Sequence, residues 1–271
     1  MAQAILSDLT PPSLATAVKA NLLAFFQQFR RSSLATVQAS GESFRWHTPV
    51  VHPWFNGILS TTPPGERAAE LVQQTIAYFR SRAVGLFSWW LAPDLEVSPW
   101  RAHLLSAGFR YDDRTPGMAI DLAALPALRS GTLTVQQVED LPTLAEWVST
   151  FVRGYGIPEA MGRPFLSLLE SLGAGLPLRH YLGFREGKPV ATSTLFVGAG
   201  SAGIYNVSTI PEMRGQGIGS AMTLAPLHAA RELGYRVGVL QSSALGYSVY
   251  ERLGFRKVCQ IEHFYWSSHG S

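Results

Sequence analysis

Two sets of landmarks recur in the same order along the chain of 271 residues. Ser60-Thr61-Thr62-Pro63 is similar to Ser208-Thr209-Ile210-Pro211, 148 residues later, and Gly108-Phe109 recurs as Gly254-Phe255, 146 residues later. The two offsets agree closely, as a duplicated unit requires. The repeat therefore predicts two copies of one supersecondary unit, which restricts the fold to a tandem arrangement.

Each half alternates helical and strand-like patterns. In the first half, helices are expected over Leu14–Phe29 and Glu66–Arg82, and buried strands at Val84–Leu91 and Gly117–Leu122. The second half repeats this order with helices from Asp140 and over Arg163–Leu172 and with strands at Arg179–Arg185, Val190–Val197, Gly203–Thr209, Val237–Leu240 and Val258–Trp266. The pattern predicts an α/β fold with domains at residues 1–125 and 132–271 and a linker at 123–131.

The composition excludes several classes of protein. Hydrophobic residues make up 46% of the chain, which is enough for a buried core, and the single Cys259 excludes internal disulfides and cysteine-based metal sites. The net charge of +3 is spread thinly, which favours a small anionic ligand over nucleic acid. The first ten residues lack a signal-peptide pattern, and the uncharged stretch Pro189–Pro211 has too few apolar residues for a membrane span. A cytoplasmic protein without membrane or nucleic-acid partners is expected.

The most informative segment runs from Asn206 to Ser220, where a strand ends and closely spaced glycines open a helix. Unpaired N–H groups at a helix start bind phosphate oxygens, and glycine lets a phosphate approach the backbone closely. Arg214 would add a positive charge beside the phosphate. A Walker A loop is absent, and a Rossmann fingerprint fails because the third glycine comes one position early.

This segment resembles the signature of the GCN5-related N-acetyltransferase (GNAT) superfamily. Arg214-Gly-Gln-Gly-Ile-Gly219 matches the loop pattern Arg/Gln-x-x-Gly-x-Gly/Ala, with Pro211 in the usual lead-in. The late family element Tyr-x-x-x-Gly-Phe is present as Tyr250 to Phe255. The resemblance covers about half of the chain and implies two GNAT-like domains, each a mixed, mostly antiparallel twisted sheet flanked by helices.

The resemblance also implies roles for individual residues. The pantetheine arm of acetyl-CoA would pair with the backbone of Val207, Ser208 and Thr209. Its pyrophosphate would be held by the loop residues Arg214, Gly215, Gln216, Gly217, Ile218, Gly219 and Ser220. At Ser243, many members have a cofactor-binding asparagine. Tyr250 would be the general acid that protonates the departing CoA thiolate. The chain departs from the family at Val237-Gly238-Val239, where many members have a glutamate base. The base is therefore unidentified.

The first half lacks these features. Pro63–Arg67 stands in place of the glycine loop, and Leu104 in place of the tyrosine. We therefore expect a degenerate first domain and acetyl transfer in the second, in a ternary complex with a small-molecule or peptide amine. The segment with Tyr155, Glu159 and Met161 is a candidate acceptor pocket, with a plain loop as the alternative.

Other interpretations stay open at this point. A non-catalytic acyl-CoA-binding protein is the main alternative, and a dinucleotide-binding oxidoreductase is a distant third. No metal site is expected, since the seven histidines, with His47 and His52 as the nearest pair, do not show the spacing of metal ligands. A monomer and a homodimer are both compatible with the sequence.

Overall fold

The computed structural model describes residues 4–40, 43–93, 95, 97–128, 133–173 and 175–268. The start of the chain at residues 1–3 and the last part of the expected linker, residues 129–131, lie outside these ranges. The helices are α1 (Pro11–Gln27), α2 (Ala68–Arg80), α3 (Val97–Ser106), α4 (Leu141–Tyr155), α5 (Gly162–Leu172), α6 (Ile218–Glu232) and α7 (Tyr247–Arg252). The strands are β1 (Thr36–Ala39), β2 (Ser43–His47), β3 (Gly57–Ser60), β4 (Leu86–Leu91), β5 (Arg110–Asp121), β6 (Leu133–Gln137), β7 (Leu178–Arg185), β8 (Lys188–Gly198), β9 (Ser201–Thr209), β10 (Val237–Gln241) and β11 (Arg256–Ser267).

The repeat predicted from the sequence is visible in the element order. From β1 to β5 the first half runs through three strands, α2, β4, α3 and a last strand, and from β7 to β11 the second half runs through three strands, α6, β10, α7 and a last strand. In both halves the third and fourth strands pair in parallel and the other neighbours pair antiparallel. The α/β fold of two similar, mostly antiparallel units is therefore confirmed.

The two units share one sheet and exchange their last strands. The eleven strands have the order β1-β2-β3-β4-β11-β5-β10-β9-β8-β7-β6. The last strand of the second half, β11, lies between β4 and β5 of the first half, and β5 lies between β11 and β10 of the second half. The domain boundaries at residues 125 and 132 stay a prediction, since the strand pairing crosses them.

Helices cover both faces of the sheet. Val239 of β10 packs in a core with residues of α1, α4 and α5, whereas the next residue, Leu240, packs in a second core with residues of α6. A third core holds α2 and α3 against Phe87 and Trp89. Because neighbouring strand residues point to opposite faces, α1, α4 and α5 share one face and α6 lies on the other.

Helix α1 belongs to the first half in sequence but packs on strands of the second half. Asn21 on this helix is fully buried, and its Nδ2 atom donates to Gly198 O at 3.0 Å and to Ser201 O at 3.2 Å. Its Oδ1 atom accepts a hydrogen bond from the hydroxyl of Tyr205 at 2.8 Å. These bonds fix α1 against the β8–β9 turn and make it a wall of the site described next.

Candidate active site

A cleft opens where two parallel strands stop pairing. The register of β10 against β9 ends at Leu240 opposite Ile204, although β9 continues to Thr209. On its other side β9 stays paired with β8, but with an irregularity between Tyr205 and Ser208, where β9 carries one extra residue. Such a bulge bends a strand. The second half of β9 therefore leaves β10 and lines one side of the cleft.

Side chains of β8 stabilise the bulge. Asn206 has a φ of 55°, in the left-handed region that asparagine tolerates better than most residues. The hydroxyl of Thr192 donates to Asn206 O at 2.8 Å, and Asn206 Nδ2 donates to Thr194 Oγ1 at 3.1 Å. The sequence predicts a strand here but not the bulge.

The glycine loop lies beside the cleft at the start of α6. Gly215 and Gly217 have φ values of 75° and 76°, and a Cβ atom at either position or at Gly219 would meet no atom within 4 Å. In the part of the chain that the structure describes, the N–H groups of Gly215 to Gly219 bond to no protein acceptor. Further along, the N–H of Ser220 is used inside the protein, because it donates to Gly217 O. The loop is an open cradle of N–H donors at a helix start, which is the geometry that binds phosphate.

Arg214 is tied to the protein backbone. Its Nη2 atom donates to Gly154 O at 2.7 Å and its Nε atom donates to Thr209 O at 3.2 Å. The guanidinium thus connects the last turn of α4 to the end of β9, next to the loop. Its expected contact with phosphate stays a prediction.

A cation that the sequence analysis did not single out also contacts a loop residue. Arg185, at the end of β7, donates to the side-chain oxygen of Gln216. This contact brings a guanidinium of the β7–β8 turn beside the N–H cradle. No local sequence pattern marks Arg185, because the contact depends on how the turn packs against α6.

Tyr250 and Ser243 lie at the other side of the cleft. Tyr250 is on α7, packs on Phe255 with ring centroids 5.8 Å apart, and has its pKa raised to about 12 by burial. Its hydroxyl therefore stays protonated at neutral pH, as a proton donor requires. The Ser243 hydroxyl accepts a hydrogen bond from the N–H of Gly246 at 3.2 Å, in the turn that leads into α7. Both residues line the same cavity as Val207.

Tyr155 connects the cleft to α4. Its hydroxyl donates to Val207 O at 2.9 Å, and its ring packs edge-on against Trp54 with centroids 4.9 Å apart. Of the segment predicted as a candidate acceptor pocket, Tyr155 lines the cavity, whereas Glu159 and Met161 form a short 3-10 turn and are not among the lining residues.

A cavity of about 360 Å³ extends from the cleft between α1, α5 and the sheet. Its walls come from both halves of the chain and are rich in aromatic residues, including Phe25, Phe26, Phe29, Trp54, Phe55, Trp90, Phe165 and Tyr205. The sequence favours a place in the core for both Trp89 and Trp90, since they lie in one apolar run. Trp89 is fully buried, but Trp90 borders the cavity.

Two histidines border the cavity with different partners. His180 Nδ1 lies 2.9 Å from Thr194 Oγ1, and burial lowers its pKa to about 4. His263 on β11 is 3% exposed, and its Nδ1 atom lies 2.9 Å from the carboxylate of Asp112 on β5. The sequence analysis missed the second pair, because its partners meet only through the exchange of the last strands.

The corresponding place in the first half is closed. Strands β3 and β4 pair up to their last residues, Ser60 and Leu91, and the next N–H, that of Ala92, donates to Ser60 O at 3.0 Å. The indole of Trp89 donates to Ser60 Oγ, also at 3.0 Å. Leu104, in the position of Tyr250, is fully buried. The first half therefore has no cleft between these two strands in its described residues.

Two features are absent from the residues that the structure describes. These residues contain no group of three or more His, Cys, Asp and Glu side chains that could hold a metal ion. No helix among them combines the length and the apolar character needed to cross a membrane.

Comparison with known proteins assigns a segment of the second half to a family. The sequence profile of the acetyltransferase (GNAT) domain matches residues 177–257, from the start of β7 to the start of β11. The chain carries a GNAT domain. No curated protein has a sequence that matches the chain.

Solved structures extend the likeness in fold to most of the chain. A GCN5-related N-acetyltransferase from Kribbella flavida matches with a TM-score of 0.67 and 18% identity, over 93% of this chain and 95% of that one. A GCN5-related N-acetyltransferase from Sphaerobacter thermophilus matches with a TM-score of 0.62 and 17% identity, over 85% of this chain and 82% of that one. A tandem GNAT protein from the clavulanic acid biosynthesis pathway matches with a TM-score of 0.56 and 14% identity, over 87% of this chain and 84% of that one. At these identities the matches establish a shared tandem GNAT fold.

Proposed function

We propose that the chain transfers the acetyl group of acetyl-CoA to a primary amine by direct transfer within a ternary complex. The observation that carries this proposal is the open N–H cradle of Gly215–Gly219 beside the cleft between β9 and β10. The family assignment supports acetyl transfer as the kind of activity.

The cradle fits the pyrophosphate of CoA on physical grounds. Five backbone N–H groups, without acceptors among the residues that the structure describes, lie at the start of a helix of 15 residues, whose dipole favours an anion there. Arg185, through its contact with Gln216, adds a positive charge close by. A pantetheine arm would continue along Val207 to Thr209, with Ser243 across the cleft.

Tyr250 has the properties of the acid that the reaction needs. As the amine nitrogen bonds to the thioester carbon and the C–S bond breaks, the thiolate takes the phenol proton of Tyr250. Burial raises the pKa of Tyr250 to about 12, so its phenol carries a proton at neutral pH when the thiolate departs.

The first half supports the site without binding a second acetyl-CoA. Its strands β3 and β4 stay paired where a cleft would have to open, and Leu104 has no proton to give. Its contributions to the cavity wall include Phe25 of α1 and Trp54.

Calorimetric titration with acetyl-CoA tests the binding step. In the Gly217→Glu variant a carboxylate enters the cradle, and we expect binding to weaken by at least about 100-fold, since like charges oppose the phosphates. Gly65→Glu is the matched control: Gly65 occupies the corresponding loop of the first half, and a Cβ atom there would also meet no atom within 4 Å. Equal loss in both variants, or no binding by the parent, would contradict the proposal.

Thiol release with a panel of amines tests the chemical step. Tyr250→Phe removes only the hydroxyl, and we expect kcat to fall about 10²-fold or more with unchanged acetyl-CoA affinity. A parent protein that binds acetyl-CoA but releases no thiol with any amine would support the competing non-catalytic acyl-CoA-binding function instead.

A further inference from the structure

We propose that the acceptor is a primary amine on an aromatic body, bound in the large cavity, and that His263, oriented by Asp112, receives its proton. This inference deepens the proposed function and rests on it. It assigns the missing base to a pair of residues contributed by the two halves of the chain.

The hydrogen bond between Asp112 and His263 determines which ring nitrogen is free. An ionised carboxylate only accepts hydrogen bonds, so His263 Nδ1 carries the proton toward Asp112, at 2.9 Å. The other nitrogen, Nε2, then has a lone pair. That atom is buried and has no hydrogen-bond partner among the described residues, while the ring of His263 borders the cavity. A buried acceptor without a donor is a place where an amine N–H gains a bond.

The neighbours of His263 keep it neutral. Burial lowers its pKa below the usual 6.5, and Asp112 is the charged group that opposes this shift. Around the ring lie Trp90 of β4, with centroids 4.2 Å apart, and Tyr265 of β11, with centroids 5.0 Å apart. A neutral imidazole beside a carboxylate can take a proton and then be stabilised as an imidazolium.

His180, the other histidine of the cavity, has a different environment. Its Nδ1 atom lies 2.9 Å from Thr194 Oγ1, which also accepts a hydrogen bond from Asn206 Nδ2. Burial lowers the pKa of His180 to about 4. Of the two histidines, His263 is the one hydrogen-bonded to a carboxylate that can stabilise its protonated form.

The cavity walls indicate the body of the amine. Phe25, Trp54, Phe55, Trp90, Phe165 and Tyr205 supply aromatic surface. Among the lining residues that the structure describes, Asp112 is the acidic one and none is Lys or Arg. An ammonium is attracted by Asp112 and by aromatic faces, whereas a carboxylate on the acceptor would find no cation. A long acyl chain would fill the same surface but leave His263 Nε2 without a donor.

His263, Tyr250 and solvent carry the protons of the reaction. The bound ammonium gives one proton to His263 Nε2, and its nitrogen then bonds to the thioester carbon as the C–S bond breaks. The thiolate takes the proton of Tyr250. The second proton lost by the nitrogen as the amide forms returns through solvent to Tyr250, and the imidazolium releases its proton to solvent. The products are the N-acetyl amide, CoA thiol and one proton.

Competing acceptors test the substrate class with the unmodified protein. We expect kcat/KM for 2-phenylethylamine to exceed that for ethanolamine, which lacks the ring, and for phenylalanine, which adds a carboxylate, by about 10- to 100-fold each. Hexanoyl-CoA replaces acetyl-CoA in a parallel series. A preference for a polar amine, or for hexanoyl-CoA with ethanolamine, would overturn the inference.

The pH dependence of kcat/KM for 2-phenylethylamine tests the base. In the parent it should fall as the pH drops through the pKa of His263, below 6.5. In His263→Gln, kcat/KM should be about 10²-fold lower and should no longer show this fall at low pH, which is called the acid limb of the profile. Asp112→Asn should move the acid limb to lower pH, because it removes the charge that favours the imidazolium. His228→Gln, on α6 with its ring on Pro126 O, is the control and should match the parent.

The outcomes separate the two proposals. Unchanged acetyl-CoA affinity shows that a variant is folded. If His263→Gln keeps the rate and the pH profile of the parent, His263 is not the base and the inference is wrong. Loss of the limb in His180→Gln instead would assign the base to His180 and overturn the inference. A parent that turns over amines but fails these tests keeps the proposed function, whereas a parent that binds no acetyl-CoA refutes both.

Discussion

Replacing Asn21 with alanine should cost the protein a large part of its stability. The substitution removes the bonds from Asn21 Nδ2 to Gly198 O at 3.0 Å and to Ser201 O and Oγ, both at 3.2 Å, and the bond from the Tyr205 hydroxyl at 2.8 Å, all at a fully buried position. The amide group has two hydrogens, so the two Ser201 contacts share one and the set counts as three bonds. At about 1 kcal/mol for each broken bond, the free energy of unfolding falls by about 3 kcal/mol. For a chain of this size the melting temperature falls by roughly 6–10 °C.

Urea unfolding and thermal melting followed by circular dichroism measure this loss. Thr16→Ala on the same helix is the control: Thr16 is exposed and bonds only to Pro12 O within the helix, so its removal should change stability by less than about 0.5 kcal/mol. Tyr205→Phe removes one of the three bonds and should cost about 1 kcal/mol. A loss below about 1 kcal/mol for Asn21→Ala would show that α1 is held to the second half by apolar packing alone.

Two further changes test how the second half holds its site. Gly154→Ala puts a Cβ atom against Ser208 Oγ and 2.7 Å from Ser208 Cβ, so stability should fall by about 1–2 kcal/mol in urea unfolding despite the better helix propensity of alanine. Gly162→Ala should not destabilise, because the nearest atoms to its Cβ are 3.9 Å away. Equal effects would refute the close packing of α4 on β9. Hydrogen bonds from Arg236 lower the pKa of Asp121, so their contribution is present above about pH 4 and is lost as the pH falls through the lowered pKa. Asp121→Asn should therefore destabilise at pH 7 but much less near pH 3, and a difference independent of pH would contradict the ion pair.

Local elements could be predicted from the sequence because local residues decide them. Apolar spacing predicts α2 and α5 to within a few residues, and the glycine pattern places the loop correctly between β9 and α6. The pairing partners of the strands could not be predicted in this way. An apolar run such as Gly117–Leu122 indicates a buried strand, but nothing in it distinguishes β10 of the other half as its neighbour.

The site residues likewise divide into those that lie in a local sequence motif and those that are brought together only by the fold. Tyr250 lies in a local motif, which is why the sequence points to it. Asp112 and His263 lie in the two exchanged strands, and they become neighbours only when β5 and β11 pair. Trp54 and Arg185 depend on how loops pack. Contacts between distant segments leave no periodic signal in one sequence, so these residues could not be identified before the structure.

The exchange of last strands also bears on how the chain is made. During synthesis the first half leaves the ribosome with one edge of β4 unpaired, because its neighbour β11 comes more than 160 residues later in the chain. An open edge next to the aromatic run 86–91 is a surface on which nascent chains associate wrongly. Nascent chains stopped before residue 256 should therefore remain protease-sensitive and chaperone-bound in their first half, which acquires its native protection only when β11 has been synthesised.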